Sequence, residues 1–278
     1  PVAIVPARYS ARQLWFQAQN VASMVTNNGS FNCNAAKMLI TGKGWAQRDE
    51  FFALLGKCFA ASPTRDAYYP GAHERYKLLV GQRQVQTFGS PTDKKLPWTF
   101  IPHVDANDED DLLFWTEPFC GILSATDLNA SDPATFVRTA AEFMDEQLWG
   151  TLNAAYVVEP TVEKQIAAEL DRAIVKLRYG TVGINHWPAA GYIATSTPWG
   201  GHPSSTLANV QSGLGWVHNT FLIEGIDKSV IRGPIYQWPK PAWFYDNTKT
   251  PALGPLLIDL ELNPSLGKVA RLLKTAIF

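Results

Sequence analysis

Between Ile122 and Asn185 the chain alternates short apolar runs with amphipathic ones, and this alternation limits the fold more than any other feature. Residues 122–128, 153–158 and 181–185 read as strands. Ser131-Asp132-Pro133 opens a helix to about residue 147, with a capping hydroxyl and a proline placed where its missing N–H costs nothing. Thr161 caps a second helix, with Ile166, Leu170, Ile174 and Leu177 on one face and Gly180 closing it. Strand, helix, strand, helix, strand predicts an α/β layer built on a largely parallel sheet flanked by helices. Ligands of such sheets bind outside the carboxyl ends of the strands, and Glu117 and Asn185 are expected at or beside such ends.

Upstream, Leu14, Ala18, Val21, Ala22 and Val25 recur at steps of three and four and predict a helix with one apolar face. It must stop near Asn27-Asn28-Gly29, since Asn and Gly tolerate positive φ. A strand resumes at residues 38–41, so Cys33 falls in a turn between helix and strand. A thiol so placed can be partly exposed. Backbone N–H groups aimed at it would lower its pKa and stabilise an oxyanion, which suits a nucleophile. The competing reading is a small core hydrophobe, the commoner state of a free cysteine. A helix at 45–59 follows, with Cys58 as a packing residue, then a helix at Ala72–Val80 and a strand at Trp98–Val104. Gly42-Lys43-Gly44 lacks the flanking residues of a phosphate loop. The acidic run 105–111 lacks the alternation and central glycine of a calcium loop, so it reads as a solvated turn.

The 24 basic and 25 acidic residues leave a net charge of −1 without a long basic run, so electrostatics give no reason to expect nucleic acid or an anionic membrane as partner. Three widely spaced cysteines suit free thiols in a reducing compartment, with cytoplasm the default. No apolar run approaches the roughly 20 residues a membrane helix needs. The chain opens at Pro1 directly on the strand-like Val2-Ala3-Ile4-Val5, an abrupt beginning that suggests a fragment, a processed chain or a split subunit.

After Asn185 a long loop contains Pro198-Trp199-Gly200-Gly201, and loops of that length are usually functional. His186, His202 and His218 fall in this region without metal-ligand spacing and read as polar loop residues. Ser229–Arg232 is a strand candidate. Pro234, Pro239 and Pro241, interleaved with Trp238, Trp243 and Phe244, predict an extended segment that wraps a surface. An amphipathic helix at Leu266–Ile277 ends the chain.

Four of these motifs together resemble the aldehyde dehydrogenase superfamily over roughly residues 1–235. Asn28-Gly29 with Cys33 and Ala35 resembles the loop of the catalytic cysteine. Glu117-Pro118-Phe119-Cys120-Gly121 is similar to the Glu-x-Phe-Gly-Pro motif, whose glutamate holds the nicotinamide ribose and whose phenylalanine packs by the ring. Gly180-Thr181-Val182-Gly183-Ile184-Asn185 is similar to the Gly-Thr-Val-x-Val-Asn strand, whose asparagine borders the active site. Pro198-Trp199-Gly200-Gly201 resembles Pro-Phe-Gly-Gly, whose aromatic lines the substrate tunnel. The chain departs from the family in three respects. Gly29 stands four residues before Cys33 instead of three, Cys120 replaces the motif's glycine, and Gly121 replaces its proline.

The resemblance implies an aldehyde dehydrogenase-like catalytic domain at 1–225 and a C-terminal extension at 226–278 that begins with an oligomerisation strand. It also implies the catalytic half of an NAD(P)-dependent aldehyde dehydrogenase. Cys33 would be the nucleophile, Glu117 and Phe119 would hold NAD or NADP, and Asn185 and Trp199 would meet a small aldehyde. The family's general base, oxyanion asparagine and nucleotide-binding half precede the point that corresponds to Pro1, so full-length protein or another chain would supply them. Little turnover is expected of these residues alone. A homo-oligomer, a dimer held partly by residues 226–245, is expected. The alternatives are a non-catalytic scaffold or binding protein of the same fold, with the lengthened loop as its sign, and a cysteine hydrolase, which needs a histidine base near Cys33.

Overall fold

The computed structural model describes residues 1–218 and 223–277. Eight strands form one sheet: β1 (Val2–Ile4), β2 (Met38–Gly42), β3 (Gln86–Phe88), β4 (Trp98–Val104), β5 (Ile122–Leu128), β6 (Asn153–Val157), β7 (Thr181–Ile184) and β8 (Ser229–Arg232). Their order is β3-β4-β5-β2-β1-β6-β7-β8. Every pairing is parallel except β3 with β4. The central strands are mostly apolar on both faces and buried except at Asn153, the first residue of β6, as a parallel sheet covered on two sides requires.

Alternate strand residues feed two cores. On one face Val2, Ile4, Leu39, Ala155 and Val157 pack with α1 (Ala11–Thr26) and α2 (Arg48–Ala61). On the other, Ala3, Ile40, Ala154 and Tyr156 pack with α3 (Ala72–Val80), α5 (Pro133–Glu146) and α7 (Ala167–Lys176). A short α4 (Leu112–Trp115) precedes β5, α6 (Pro160–Gln165) leads into α7, and α8 (Ala190–Ile193) follows β7. Ser10 and Gln13 form a reciprocal capping box that starts α1.

Two expected caps are corrected. The carboxylate of Asp132, not the Ser131 hydroxyl, accepts from Thr135 N and starts α5. Glu159, not Thr161, accepts from two amides at the start of α6, and the helix expected from Thr161 is broken at Ile166 into α6 and α7. A carboxylate outcompetes a hydroxyl there because the first helical turn presents positive dipole as well as free N–H groups.

The sheet runs past the boundary expected at 225/226, because β8 pairs with β7 from Thr181↔Ser229 to Ile184↔Arg232. The extension therefore begins after β8. Its Pro- and Trp-rich part lies across α1, where Gln17 Nε2 donates to Ile235 O at 2.8 Å and the Phe16 ring meets Phe244 at 5.0 Å and Tyr236 at 5.2 Å. The segment expected to wrap a surface thus wraps α1. Beyond the strap come α9 (Thr250–Leu262), absent from the sequence reading, and α10 (Leu266–Ile277). Neither helix has a buried residue.

Candidate active site

A cleft of about 220 Å³ opens at the amino ends of β2, β5 and β6, lined among others by Cys33, Lys37, Glu117, Trp149, Asn153 and Tyr179. Cys33 and Lys37 lie on the approach to β2, Glu117 lies on the approach to β5, and Asn153 is the first residue of β6. The expected end of the sheet is thus corrected: Glu117 stands before β5, on the connection from α4, and not beside a carboxyl end.

The Cys33 loop owes its shape to a run of left-handed residues. Helix α1 ends at Thr26, and Asn28 (φ 50°), Gly29 (φ 67°) and Ser30 (φ 71°) follow with positive φ. L-residues visit that region singly as a rule, at roughly 1–2 kcal/mol each, so the run must be held from outside. Asn28 Nδ2 donates to Phe31 O at 2.9 Å, and Asn32 Nδ2 donates to Asn27 O at 3.0 Å. Lys37 Nζ donates to Ser30 Oγ at 2.6 Å and to Ser30 O at 3.1 Å. The Phe31 ring is buried against Tyr68, Tyr69 and Phe119. The loop leaves this anchorage and presents Cys33 as an exposed residue, with its carbonyl accepting from Asn153 Nδ2 at 3.3 Å.

Cys58 and Cys120 are buried, and all three thiols are free. Desolvation in the cleft pushes the Cys33 thiol pKa up, and the Glu117 charge adds to the rise, while its own backbone N–H pulls the other way. The expected backbone donor is present and does lower this pKa, but desolvation outweighs it and the net shift is upward. Glu117 is also pushed up, by burial first, with Lys37 opposing. Among the described residues its carboxylate has neither a hydrogen bond nor an ion pair, so both oxygens are free to accept from a ligand. Burial lowers the Lys37 pKa to about 8.

The remaining expected residues are not brought into the cleft. Phe119 (φ 42°) stacks behind it, 4.5 Å from Tyr69 between ring centres and 6.4 Å from Phe31, so it supports the Cys33 loop from the side. Asn185 follows β7 at the far end of the sheet and is buried. Its side chain accepts from Val158 N at 2.8 Å and donates to Val158 O at 3.0 Å. Its left-handed turn sends the chain back over the sheet, where Trp187 Nε1 donates to Asn34 O at 2.7 Å. Asn185 therefore reaches the Cys33 loop only through Trp187. Trp199 is buried against Tyr192, with its backbone paired to Val217, and is not on the cleft wall. Its loop docks at the foot of β7, where a Cβ on Gly180 would stand 1.9 Å from Gly200 O. The loop reaches the cleft through Ser212, whose Oγ accepts from Thr151 N at 2.7 Å.

Lys37 and Trp187 were missed by the sequence reading. A basic residue shortly after a nucleophile loop, at the mouth of a buried strand, was the available signal for Lys37. No signal marked Trp187, because its contact depends on how Asn185 reverses the chain. None of the five histidines lines the cleft, and among the described residues no cluster of His, Cys, Asp and Glu could hold a metal. No described helix is long and apolar enough to cross a membrane.

The fold is similar to that of solved aldehyde dehydrogenases. NADP-dependent glyceraldehyde-3-phosphate dehydrogenase of Bacillus halodurans C-125, complexed with NADP, matches 79% of this chain and 43% of its own at 17% identity and a TM-score of 0.59. Gamma-glutamyl-gamma-aminobutyraldehyde dehydrogenase of Burkholderia cenocepacia J2315 matches 80% and 43% at 18% identity and a TM-score of 0.57. Salicylaldehyde dehydrogenase of Pseudomonas putida G7, complexed with salicylaldehyde, matches 78% and 42% at 15% identity and a TM-score of 0.56. The chain thus has the aldehyde dehydrogenase fold, and its match spans less than half the length of these enzymes. No family model matches the sequence. No curated protein matches it.

Proposed function

We propose that Cys33 is the nucleophile of an NAD(P)-dependent aldehyde dehydrogenase, oxidising a small aldehyde to its carboxylic acid. One observation carries this reading: among the described residues the one exposed thiol shares a cleft with a Glu117 carboxylate that has no partner, on a fold similar to that of solved aldehyde dehydrogenases. The Cys33 thiolate adds to the carbonyl carbon and gives a thiohemiacetal. Loss of hydride leaves a thioester, and water then releases the acid and the thiol. NAD or NADP, when bound, accepts the hydride.

The residues present fit such a group. Glu117 offers two free acceptor oxygens to ribose hydroxyls, and Phe119 keeps its turn in place from behind. The cleft is sized for a nicotinamide or a small aldehyde, being below the roughly 300–1,000 Å³ typical of larger ligand pockets. The turn from β1 to α1 has no glycine, so the dinucleotide's phosphates would need a binding element elsewhere, in the full-length protein or another chain. Desolvation raises the Cys33 pKa and so disfavours the thiolate. Asn185 and Trp199 act on the substrate only indirectly, through the loops they hold.

A reducing compartment such as the cytoplasm keeps the three thiols free, and self-association through the outer edge of β8 gives a homo-oligomer. Val230 on that strand is 41% exposed. Light scattering of the parent and of Val230→Lys tests the assembly: a monomer in both sinks it. A cysteine hydrolase is disfavoured by the lack of a histidine in the cleft. The dehydrogenase itself is tested by aldehyde-dependent reduction of NAD⁺ and NADP⁺ in the full-length protein, with Cys33→Ala as control. Equal turnover in that variant rules Cys33 out as nucleophile.

A further inference from the structure

We propose that Lys37 is the positioning residue that keeps Cys33 and Glu117 in one frame, by clamping together the two left-handed turns that carry them. The inference rests on the reading of Cys33 as nucleophile, but its test reads the thiol rather than turnover.

Each turn contains a non-glycine residue with positive φ, Ser30 at 71° in one and Phe119 at 42° in the other. They belong to different connections of the sheet, one entering β2 and the other entering β5. Each has local anchors of its own. Asn28 and Asn32 hold the first turn, and Arg75 of α3 holds the second, donating from Nε to Pro118 O at 3.0 Å. Lys37 Nζ joins them through three acceptors: Ser30 Oγ at 2.6 Å, Ser30 O at 3.1 Å and Cys120 O at 2.9 Å. An ammonium has three diverging donors, and all three are used here across two turns. No carboxylate is among these partners, although Glu117 lines the same cleft. The charge is spent on backbone and hydroxyl oxygens, which is what holding loops requires. The ring contact of Phe31 with Phe119 spans the same gap without direction, so it cannot set the relative height of the two turns.

Arginine at this position keeps the charge but replaces a compact point donor with a longer planar fork, which cannot reproduce three diverging bonds. Lys37→Met removes the bonds and keeps the stem. The test follows Cys33 alkylation by iodoacetamide against pH, and amide hydrogen exchange in residues 27–33 and 117–121, in the parent, Lys37→Met and Lys37→Arg. In Lys37→Met both segments should exchange about tenfold faster. The alkylation midpoint should move down toward that of an ordinary thiol, because Cys33 leaves the desolvating cleft and the Glu117 charge. Its rate at pH 7 should then rise about threefold. Lys37→Arg should recover part of both effects.

An unchanged midpoint in folded Lys37→Met overturns the proposal, as does faster exchange confined to residues 27–33. Should Lys37→Met fail to fold, Ser30→Ala decides: it removes one acceptor and should shift the midpoint in the same direction by a smaller step, and no shift overturns the clamp. A protein that shows these shifts yet forms no NAD(P)H keeps the clamp and loses the dehydrogenase.

Discussion

Asn28 and Asn185 are both asparagines in left-handed backbone next to an end of the same sheet, and they do opposite things. Asn185 turns inward, and its amide satisfies both the N–H and the carbonyl of Val158. Asn28 donates to Phe31 O in a turn that leads to the exposed Cys33 thiol, with the Glu117 carboxylate, unpartnered among the described residues, in the same cleft. The carboxyl ends of β2, β4 and β5 repeat the contrast. They border a wider groove of about 810 Å³, but its Arg48 and Asp127 pair with each other at 2.7 Å.

The sharpest way to break this comparison is at the thiol. Cys33→Ala should abolish native alkylation by iodoacetamide, since Cys58 and Cys120 are buried. In the full-length protein it should cut NAD(P)H formation by at least about a thousandfold, as loss of a covalent nucleophile does elsewhere. Mass mapping of the alkylated parent provides the check, and equal labelling of the three cysteines would falsify the assignment. The pH course carries a sign. A thiol whose pKa is raised reacts less at neutral pH and gains rate as pH climbs through the raised value, so the midpoint for Cys33 should lie above that of a free cysteine in the same buffer.

The opposite end of the sheet should answer in stability. Asn185→Ala leaves two buried backbone groups of Val158 without their side-chain partner, at roughly 1–3 kcal/mol each, so about 2–6 kcal/mol of unfolding free energy should be lost. Denaturant titration reads it. Alkylation of folded Asn185→Ala at pH 7 should change less than that of Lys37→Met. A larger change would show that Trp187, positioned by this turn, controls the thiol more than Lys37 does.

Much of this contrast was open to sequence reading, and its limits are physical. Apolar periodicity marked β4, β5 and α3 at their observed ends, because elements buried on one or both faces write their period into the chain. The motif around Cys33 was legible since Asn and Gly announce positive φ. What failed was the end of the sheet, although chain order held the answer: Glu117 lies on the connection that leads into β5, and such a residue stands at the strand's amino end. Asn185 was read as a site residue because a polar side chain at the end of a buried strand looks alike whether it binds a ligand or a neighbouring backbone. The direction of the Cys33 pKa shift also escaped, since desolvation depends on Trp149 and Leu113, which lie far along the chain and close in space. Helix α9 was missed because Pro251 and Pro255 argue against it, although Pro251 falls in its first turn, where proline is tolerated.

Glu117→Gln should have a middling effect that sharpens the difference between free and paired groups. Having no partner to lose, the variant should keep its unfolding free energy within about 0.5 kcal/mol of the parent. The alkylation midpoint of Cys33 should fall, since a negative charge that raises it is gone. In the full-length protein the KM for the nicotinamide cofactor should rise about tenfold or more, the equivalent of one or two hydrogen bonds to a charged group. An unchanged KM would remove Glu117 from cofactor binding, and an unchanged midpoint would remove it from the neighbourhood of the thiol.

The smallest effect belongs to the end of the chain, where the strap and the two helices after it make the same kind of comparison. Ile235 and Phe244 of the strap are buried against α1, and Asp246 accepts from Gln19 Nε2 at 2.6 Å. In α9 and α10 no residue is buried, and Leu262 is 73% and Leu266 89% exposed. Apolar area that is never removed from water contributes nothing to folding, at about 25 cal/mol per Å² of zero change. Removing residues 250–278 should therefore move the thermal midpoint by less than about 2 °C. Removing residues 234–278 uncovers Phe16 and strips partners from Gln17 and Gln19, and should lower the midpoint several times as far. Differential scanning calorimetry of the two truncations compares them directly. An equal loss in both would mean that α9 and α10 are covered in solution, and light scattering of the parent would then show whether a second copy covers them.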